Sequence, residues 1–245
     1  MRTIRVYQPG TYQTGDVITL STSATQHVGL VLRMTAGETL TLFRGDNYEF
    51  KATLVAVQKK HIQACIESMT LVDRESPRKI HLVQALVKGD KMEWIIQKAV
   101  ELGVSSITPL ITEHSVVRLN TERLQKKQYQ WEAIAIAACE QSGRNHLPVI
   151  HPTCSLEQYV TTSSTTQKWI LSPKATQSWP EINADANELA LLIGPEGGFS
   201  DAEIKCAHEH YTQSIRLGPR ILRTETAAIT GIGIMQMKYG DLSVA

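Results

Sequence analysis

The chain has 245 residues, of which 42% are hydrophobic and 20% charged, and its formal net charge at pH 7 is +1. This length is sufficient for two domains with buried cores, and the near-neutral balance restricts any RNA-binding surface to a local basic patch. Because no apolar run reaches the ~18 residues needed to cross a bilayer and residues 1–5 lack the apolar core of a signal peptide, we expect no membrane association and a cytoplasmic location.

Metal-binding patterns are weak in this sequence. The four cysteines are far apart and none forms a C-x-x-C pair, which argues against a zinc site or a disulfide framework. His208 and His210 are two residues apart on a predicted helix, so they do not share a face. We therefore predict no metal.

The N-terminal part of the chain shows short alternating runs separated by turns, which is the pattern of β-strands. Five or six such strands within about 65 residues favour a small barrel or sandwich. The polar segment 73–78 contains Pro77 and is typical of a linker. We predict a β-domain over residues 1–72, with strands at 17–20, 28–34, 39–43, 49–57 and 62–66.

From residue 73 onward, apolar strands alternate with helical patterns. Such alternation indicates an α/β domain whose mostly parallel sheet is covered on both faces. The predicted domain covers residues 73–245. Its strands are expected at 80–87, 107–111, 168–171, 189–193 and 214–217, and its helices at 90–102, 121–142 and 224–237.

The sequence IGPEGGFS at 193–200 joins a predicted strand to a predicted helix through three glycines and a proline. Such a turn allows positive φ and leaves backbone N–H groups accessible to a ligand. Ser200 and Glu203 have the spacing of a capping box, so the helix is expected to begin at Ser200. The glycine spacing matches neither the dinucleotide-binding nor the P-loop motif. By itself the turn leaves a ligand loop and a simple tight turn equally open.

A second Gly-Pro turn lies in LGPRILRTETA at 217–227. Both turns are predicted at the carboxyl ends of neighbouring strands, where open α/β sheets bind their ligands. Arg220 and Arg223 belong to the second turn. Arginine recognises phosphate through its planar fork, but it also serves in structural ion pairs.

Other basic residues are candidates for RNA contact, although each has an ordinary alternative as a solvated charge or a helix-terminal residue. Lys88 and Lys91 surround the start of a predicted helix, and Arg144 follows the end of another. The complete set of candidate RNA contacts is Arg2, Arg5, His27, Arg33, Lys88, Lys91, Arg144 and Arg220.

Together these segments resemble a known family. Four segments carry the resemblance: IGPEGGFS, LGPRILRTETA, KGDKMEWIIQKAVELG at 88–103 and EQSGR at 140–144. They are similar to segments of bacterial 16S ribosomal RNA (uridine N3)-methyltransferases, which belong to the SPOUT or trefoil-knot class. HVGLVLR at 27–33 resembles the PUA-like RNA-binding domain of that family. The family commonly has a proline where this chain has Val87.

The resemblance implies methyl transfer from S-adenosylmethionine to N3 of a ribosomal uridine by a homodimer. The cofactor is expected to lie against three loops: the loop after Leu171, the turn at 194–198 and the turn at 217–222. Arg223 is the expected stabiliser of negative charge on the uracil, and Glu196 is expected to position it or act as the base. The implied cofactor contacts are Leu171, Ile193, Gly194, Pro195, Glu196, Gly197, Gly198, Ile215, Leu217, Gly218, Leu222 and Thr224.

Two alternatives remain open at this point. One is a SPOUT enzyme that methylates a ribose 2′-hydroxyl or another RNA position. The other is a non-catalytic RNA-binding factor in ribosome assembly that retains the fold.

Overall fold

The computed structural model describes residues 4–115, 120–165, 167–179 and 185–242. Its residues form two compact units: the first comprises residues up to 75 together with 139–147, and the second comprises 76–138 and 148–245. The sequence prediction had placed 139–147 in the second domain. These residues pack with the first unit because Arg144 pairs with Glu75 and the amide of Asn145 donates to the carbonyl of Val72 at 2.8 Å.

The first unit contains a five-stranded sheet in the order β1-β3-β4-β5-β2, antiparallel except where β1 meets β3. Alternate residues of its central strand, Phe50, Ala52 and Leu54, are buried on one face and form the core with Leu40 and Leu42. The strands are β1 (Arg5–Tyr7), β2 (Val17–Thr19), β3 (Thr39–Phe43), β4 (Tyr48–Gln58) and β5 (His61–Leu71).

The strand predicted at 28–34 is wrong. Helix α1 (Thr22–Gln26) begins after Ser21, whose hydroxyl accepts from the N–H of Ala24, and it continues into a π-helical turn, His27–Val31. Val28 is buried whereas Leu30 and Val31 are both exposed, so the burial does not alternate as in a strand. A short apolar run does not distinguish a strand from a helix, and here the helix cap decides.

The second unit contains a seven-stranded sheet in which every pairing of the described strands is parallel. The order is β12-β10-β11-β6-β7-β8, with β9 also paired to β7. This confirms the predicted α/β class. The strands are β6 (Lys79–Ala85), β7 (Ser106–Ile111), β8 (Val149–Ile150), β9 (Cys154–Ser155), β10 (Gln167–Leu171), β11 (Glu188–Ile193) and β12 (Thr212–Ile215).

Helices cover this sheet, and β11, near its middle, is buried after its first residue, Glu188. Residues 189–193 of β11 are at most 2% exposed. A Cβ at Gly231 would lie 2.6 Å from Leu191 Cδ2, which shows how closely the last helix approaches β11. The remaining helices are α2 (Lys91–Glu101), α3 (Thr121–Ser142), α4 (Leu156–Thr162), α5 (Asp201–Glu209) and α6 (Thr224–Tyr239). None of the described helices is long and apolar enough to cross a membrane.

Two details of the sheet differ from the prediction. Strand β12 ends at Ile215, so Leu217 lies beyond it in the following loop. In addition, β10 lies between β11 and β12, so the two Gly-Pro turns do not follow adjacent strands. The loop after β10 therefore lies between them, which brings three loops to one edge of the sheet.

Candidate functional site

A cavity of about 890 Å³ opens at the carboxyl ends of β10, β11 and β12. Its walls are residues 172–174, 194–200, 216–218 and 220–224, from the segments that follow these three strands, and it is also lined by Lys91 and His114. The carboxyl edge of a parallel sheet is the usual position of a ligand site in α/β folds. The cavity lies entirely within the second unit.

The loop after β11 folds back on itself. The N–H of Gly198 donates to the carbonyl of Pro195 at 2.9 Å, and Gly198 has a φ of +71°. A Cβ on Gly194 would lie only 3.2 Å from the Gly198 backbone, so this position has little room for a side chain. A Cβ on Gly198 would have no atom within 4 Å. The loop therefore presents backbone with open space beside Gly198.

The predicted capping box at the end of this loop is confirmed. The Ser200 hydroxyl accepts from the N–H of Glu203, and the Ser200 N–H donates to the Glu203 carboxylate. Both bonds satisfy N–H groups that lack a partner within the helix. They fix the point where the cavity wall becomes helix α5.

The loop after β12 is tied to the loop after β11. The Thr224 hydroxyl donates to the carbonyl of Gly194 at 2.7 Å and accepts from the side-chain amide of Gln84 at 3.2 Å. Thr224 and Gln84 are buried. The first residue of α6 therefore connects two walls of the cavity.

Charged groups lie at one side of the cavity. The ammonium of Lys91 is 3.3 Å from a carboxylate oxygen of Glu196 and 3.7 Å from one of Glu225. Glu196 is exposed and already ion-paired. Arg223 is exposed at the N-cap of α6 and lines the cavity, and its guanidinium has no hydrogen bond to a described residue. Of the two expected catalytic residues, Glu196 is in an ion pair, whereas Arg223 has no ion pair with a described residue.

All but one of the expected cofactor contacts line the cavity. The exception is Ile215, which is fully buried within β12. The strand was expected at 214–217 but spans Thr212–Ile215, and the side chain of its last residue is covered by the protein instead of facing the cavity.

Two of the candidate RNA contacts are used inside the first unit. Arg5 lies 2.5 Å from Glu49 Oε1 and donates to the side chain of Asn145 at 2.5 Å, while buried Arg144 pairs with Glu75. Burial opposes the charged form of Glu49, but hydrogen bonds from two arginines and Asn145 outweigh it and lower the Glu49 pKa. These guanidinium groups connect residues 139–147 to the rest of the first unit and do not form an open basic surface.

The remaining candidates are placed differently. His27 lies 3.3 Å from Glu140, and Arg33 is exposed with a φ of +54°. Lys88 and Arg220 are exposed, and Arg220 lines the cavity with Lys91. Arg2 lies outside the described residues.

His114 lines the cavity and was not identified from the sequence. Its Nδ1 lies 3.3 Å from the carbonyl oxygen of Gly197 and 3.2 Å from that of Gly198. Because carbonyl oxygens only accept, Nδ1 must carry the hydrogen. The available signal was its position after the predicted strand 107–111, since a residue just beyond a parallel strand belongs to the ligand-binding edge. Among the described residues, no three His, Cys, Asp or Glu side chains are grouped to hold a metal ion.

Comparison with known proteins gives the family. The RNA methyltransferase domain family matches residues 74–236, and the RNA methyltransferase PUA domain family matches residues 20–67. Ribosomal RNA small subunit methyltransferase E of Buchnera aphidicola subsp. Schizaphis graminum is 40% identical over 240 residues, which cover 98% of each chain. The chain belongs to the ribosomal RNA small subunit methyltransferase E family.

Other members of the methyltransferase E family and solved structures agree with this. The Bacillus subtilis protein is 34% identical, with 83% of both chains covered. A putative methyltransferase of Legionella pneumophila, solved with bound S-adenosylmethionine, superposes with a TM-score of 0.96 at 50% identity, covering 99% of this chain and 100% of that one. The Neisseria gonorrhoeae methyltransferase E, also bound to S-adenosylmethionine, gives a TM-score of 0.91 at 35% identity, covering 98% and 100%.

Proposed function

We propose that this protein transfers a methyl group from S-adenosylmethionine to N3 of a uridine in small-subunit ribosomal RNA. The observation that carries the proposal is the cavity that three loops form at the carboxyl ends of β10, β11 and β12. Its position in a chain of the methyltransferase E family makes it the candidate donor site.

The cavity residues suit the donor. The glycines at 194, 197 and 198 place no side chain between the loop backbone and the polar parts of the donor. Leu171, Ile193 and Leu222 supply apolar surface for its adenine and methylene groups. When bound, S-adenosylmethionine supplies a methyl group already activated by its sulfonium. The protein's own task is then to align the acceptor and to assist loss of its proton.

Arg223 is the residue we assign to charge stabilisation. Uracil that loses its N3 proton carries negative charge on its carbonyl oxygens, and a cation beside the donor cavity stabilises that charge. Glu196 is less suited to act as the base, because the Lys91 ammonium already contacts its carboxylate. We assign Glu196 a positioning role through Lys91.

The first unit is proposed to bind the surrounding RNA, since it carries the PUA-type match. Arg33 is the exposed basic residue there that we expect to contact phosphate. The target uridine must be unpaired or flipped out for its N3 to be reached. We further propose a cytoplasmic homodimer whose second subunit contributes to the RNA site.

The test is a transfer assay with S-adenosylmethionine labelled in its methyl group and small-subunit RNA lacking the modification. Nuclease digestion and mass spectrometry of the product should give 3-methyluridine. Label on a ribose would instead favour the 2′-hydroxyl alternative. Donor binding without any transfer would favour a non-catalytic assembly factor.

A further inference from the structure

A smaller cavity of about 220 Å³ shares a wall with the donor cavity. It is lined by Lys91, Trp94 and Glu225, and Lys91 also lines the larger cavity. Lys91 and Trp94 belong to the first turn of α2, and Glu225 to the first turn of α6. A residue common to both cavities means that a group bound in the smaller one lies beside the donor.

Trp94 differs from the other tryptophans of the chain. All four are described; Trp131, Trp169 and Trp179 are at most 4% exposed, whereas Trp94 is 45% exposed. An exposed indole beside a cavity offers a flat apolar face on which a ligand can pack. Aromatic faces of this kind are the usual platforms on which single-stranded bases stack.

Glu225 contributes an acceptor without a hydrogen bond. Its Oε2 is buried, and no described group donates a hydrogen bond to it. The Lys91 ammonium at 3.7 Å lies beyond hydrogen-bond distance although it still attracts the carboxylate. A buried carboxylate oxygen normally accepts hydrogen bonds, so the Glu225 side chain, which lines the cavity, retains acceptor capacity for a donor brought by a ligand.

We propose that Lys91, Trp94 and Glu225 form the subsite that recognises the target uracil, an inference that rests on the proposed function. Uracil presents a carbonyl, an N3–H donor and a second carbonyl along one edge. Before transfer, the Lys91 ammonium donates to a carbonyl oxygen, the Glu225 carboxylate accepts from N3–H, and the ring stacks on Trp94. In the transfer step N3 loses its proton to that carboxylate, which then vacates the position that the methyl group enters. Cytosine has an unprotonated N3, whose lone pair would face the Glu225 carboxylate, so the site selects uridine.

The binding test uses tryptophan fluorescence without the methyl donor, with a short oligouridylate and the matching oligocytidylate as probes. Oligouridylate should quench the emission of the wild-type protein more than oligocytidylate does. Trp94→Phe should abolish the quenching, whereas Trp179→Phe, which removes a buried indole, should retain it. Glu225→Gln should reduce the preference for oligouridylate because an amide accommodates both bases. Absence of quenching, or equal quenching by both probes, overturns the subsite.

The activity test measures methyl transfer to unmethylated small ribosomal subunits. Trp94→Ala should lower kcat/KM on the order of ten- to a hundredfold, the range found when a stacking residue is removed, and Trp94→Phe should retain most of the activity. Tyr129→Ala, which removes an exposed aromatic ring outside both cavities, is the matched control and should leave transfer unchanged. Donor affinity should be unchanged in all three variants.

The outcomes separate the two proposals. Transfer by the wild type with full activity of Trp94→Ala removes the subsite and leaves the function standing. Loss of a wild-type dimer in Trp94→Ala, measured by light scattering, identifies this face as an interface between copies and also removes the subsite. Failure of the wild type to methylate ribosomal RNA removes both.

Discussion

The hydroxyl of Thr224 donates a hydrogen bond to the carbonyl of Gly194 across 2.7 Å. Thr224 is the first residue of helix α6, and Gly194 is the first residue of the glycine-rich loop after β11. The two residues are 30 positions apart in sequence. The same hydroxyl accepts from Gln84 at the end of β6. One buried side chain thus holds together two walls of the cavity and the strand beside them.

Thr224→Val keeps the shape of the side chain and removes the hydroxyl. The Gly194 carbonyl then loses its partner, and the Gln84 amide loses one of its two acceptors. We expect a loss of about 1–3 kcal/mol in the free energy of unfolding, measured by urea denaturation, together with weaker S-adenosylmethionine binding by calorimetry. Thr224→Ser should preserve both. A Val variant as stable as the wild type would contradict this role.

Gly198→Val tests the glycine loop. The positive φ of Gly198 disfavours a β-branched residue, at a cost of about 1–2 kcal/mol, and the new side chain would occupy the open space beside the loop. We expect donor affinity to fall at least tenfold. Gly233→Ala is the control, because a Cβ there meets no atom within 4 Å and alanine suits the interior of α6. Equal affinities of both variants would remove the loop from the site.

Arg223→Ala should slow methyl transfer more than it weakens donor binding. Removal of one donor to a developing negative charge lowers kcat by about a hundredfold. Arg220→Ala is the comparison, since Arg220 is also exposed and lines the same cavity. Single-turnover rates and calorimetry separate the two effects. Equal losses in rate and affinity would make Arg223 a donor-binding residue instead.

Arg33→Ala should weaken RNA binding and flatten its dependence on salt, because an exposed arginine that contacts phosphate releases counterions. Arg5→Ala should instead destabilise the protein, since it leaves Glu49 and Asn145 without one of their partners. Filter binding over a range of salt concentrations and urea unfolding distinguish these results. An unaltered salt slope in Arg33→Ala would exclude Arg33 from phosphate contact.

His81 gives the second unit a sensitivity to acid. Burial, with a smaller contribution from the neighbouring His151, lowers the His81 pKa from 6.5 to about 3, and its Nε2 lies 2.8 Å from the Thr108 hydroxyl. Between these pKa values the unfolded chain binds a proton that the folded protein does not. Stability should therefore fall as pH decreases from 6.5 towards 3, by up to about 1.4 kcal/mol per pH unit.

His81→Gln provides the comparison, because glutamine is neutral at every pH in this range and can reach the same Thr108 hydroxyl. Urea unfolding at pH 7 and at pH 5 should show a larger loss of stability in the wild type than in the variant. Equal losses in the two proteins would mean that His81 does not cause the acid sensitivity.

Local sequence signals predicted much of the second unit. The bounds of α3 at 121–142 and the start of α5 after Ser200 agree with the structure because caps and helical periodicity are encoded within a few residues. The same local reasoning failed at 28–34, where a short apolar run suggested a strand but the Ser21 cap starts a helix that continues through His27–Val31.

Long-range placement was less accessible from the sequence. Nothing near Arg5 or Arg144 indicates that Glu49 and Glu75 would pair with them, since these partners are 44 and 69 positions away. The position of β10 between β11 and β12 likewise depends on which strands pair, and local sequence does not encode that pairing. His114 lines the larger cavity and Trp94 the smaller one because separate elements pack together there. The type of these two residues alone does not predict those positions.

The most direct test of the proposed function compares small-subunit ribosomal RNA from cells with and without this protein. Mass spectrometry of nuclease fragments should show one 3-methyluridine that disappears when the protein is absent and returns when the wild-type chain is restored, but not when Arg223→Ala replaces it. A missing ribose methyl group, or identical methylation in both RNAs, would contradict the assignment.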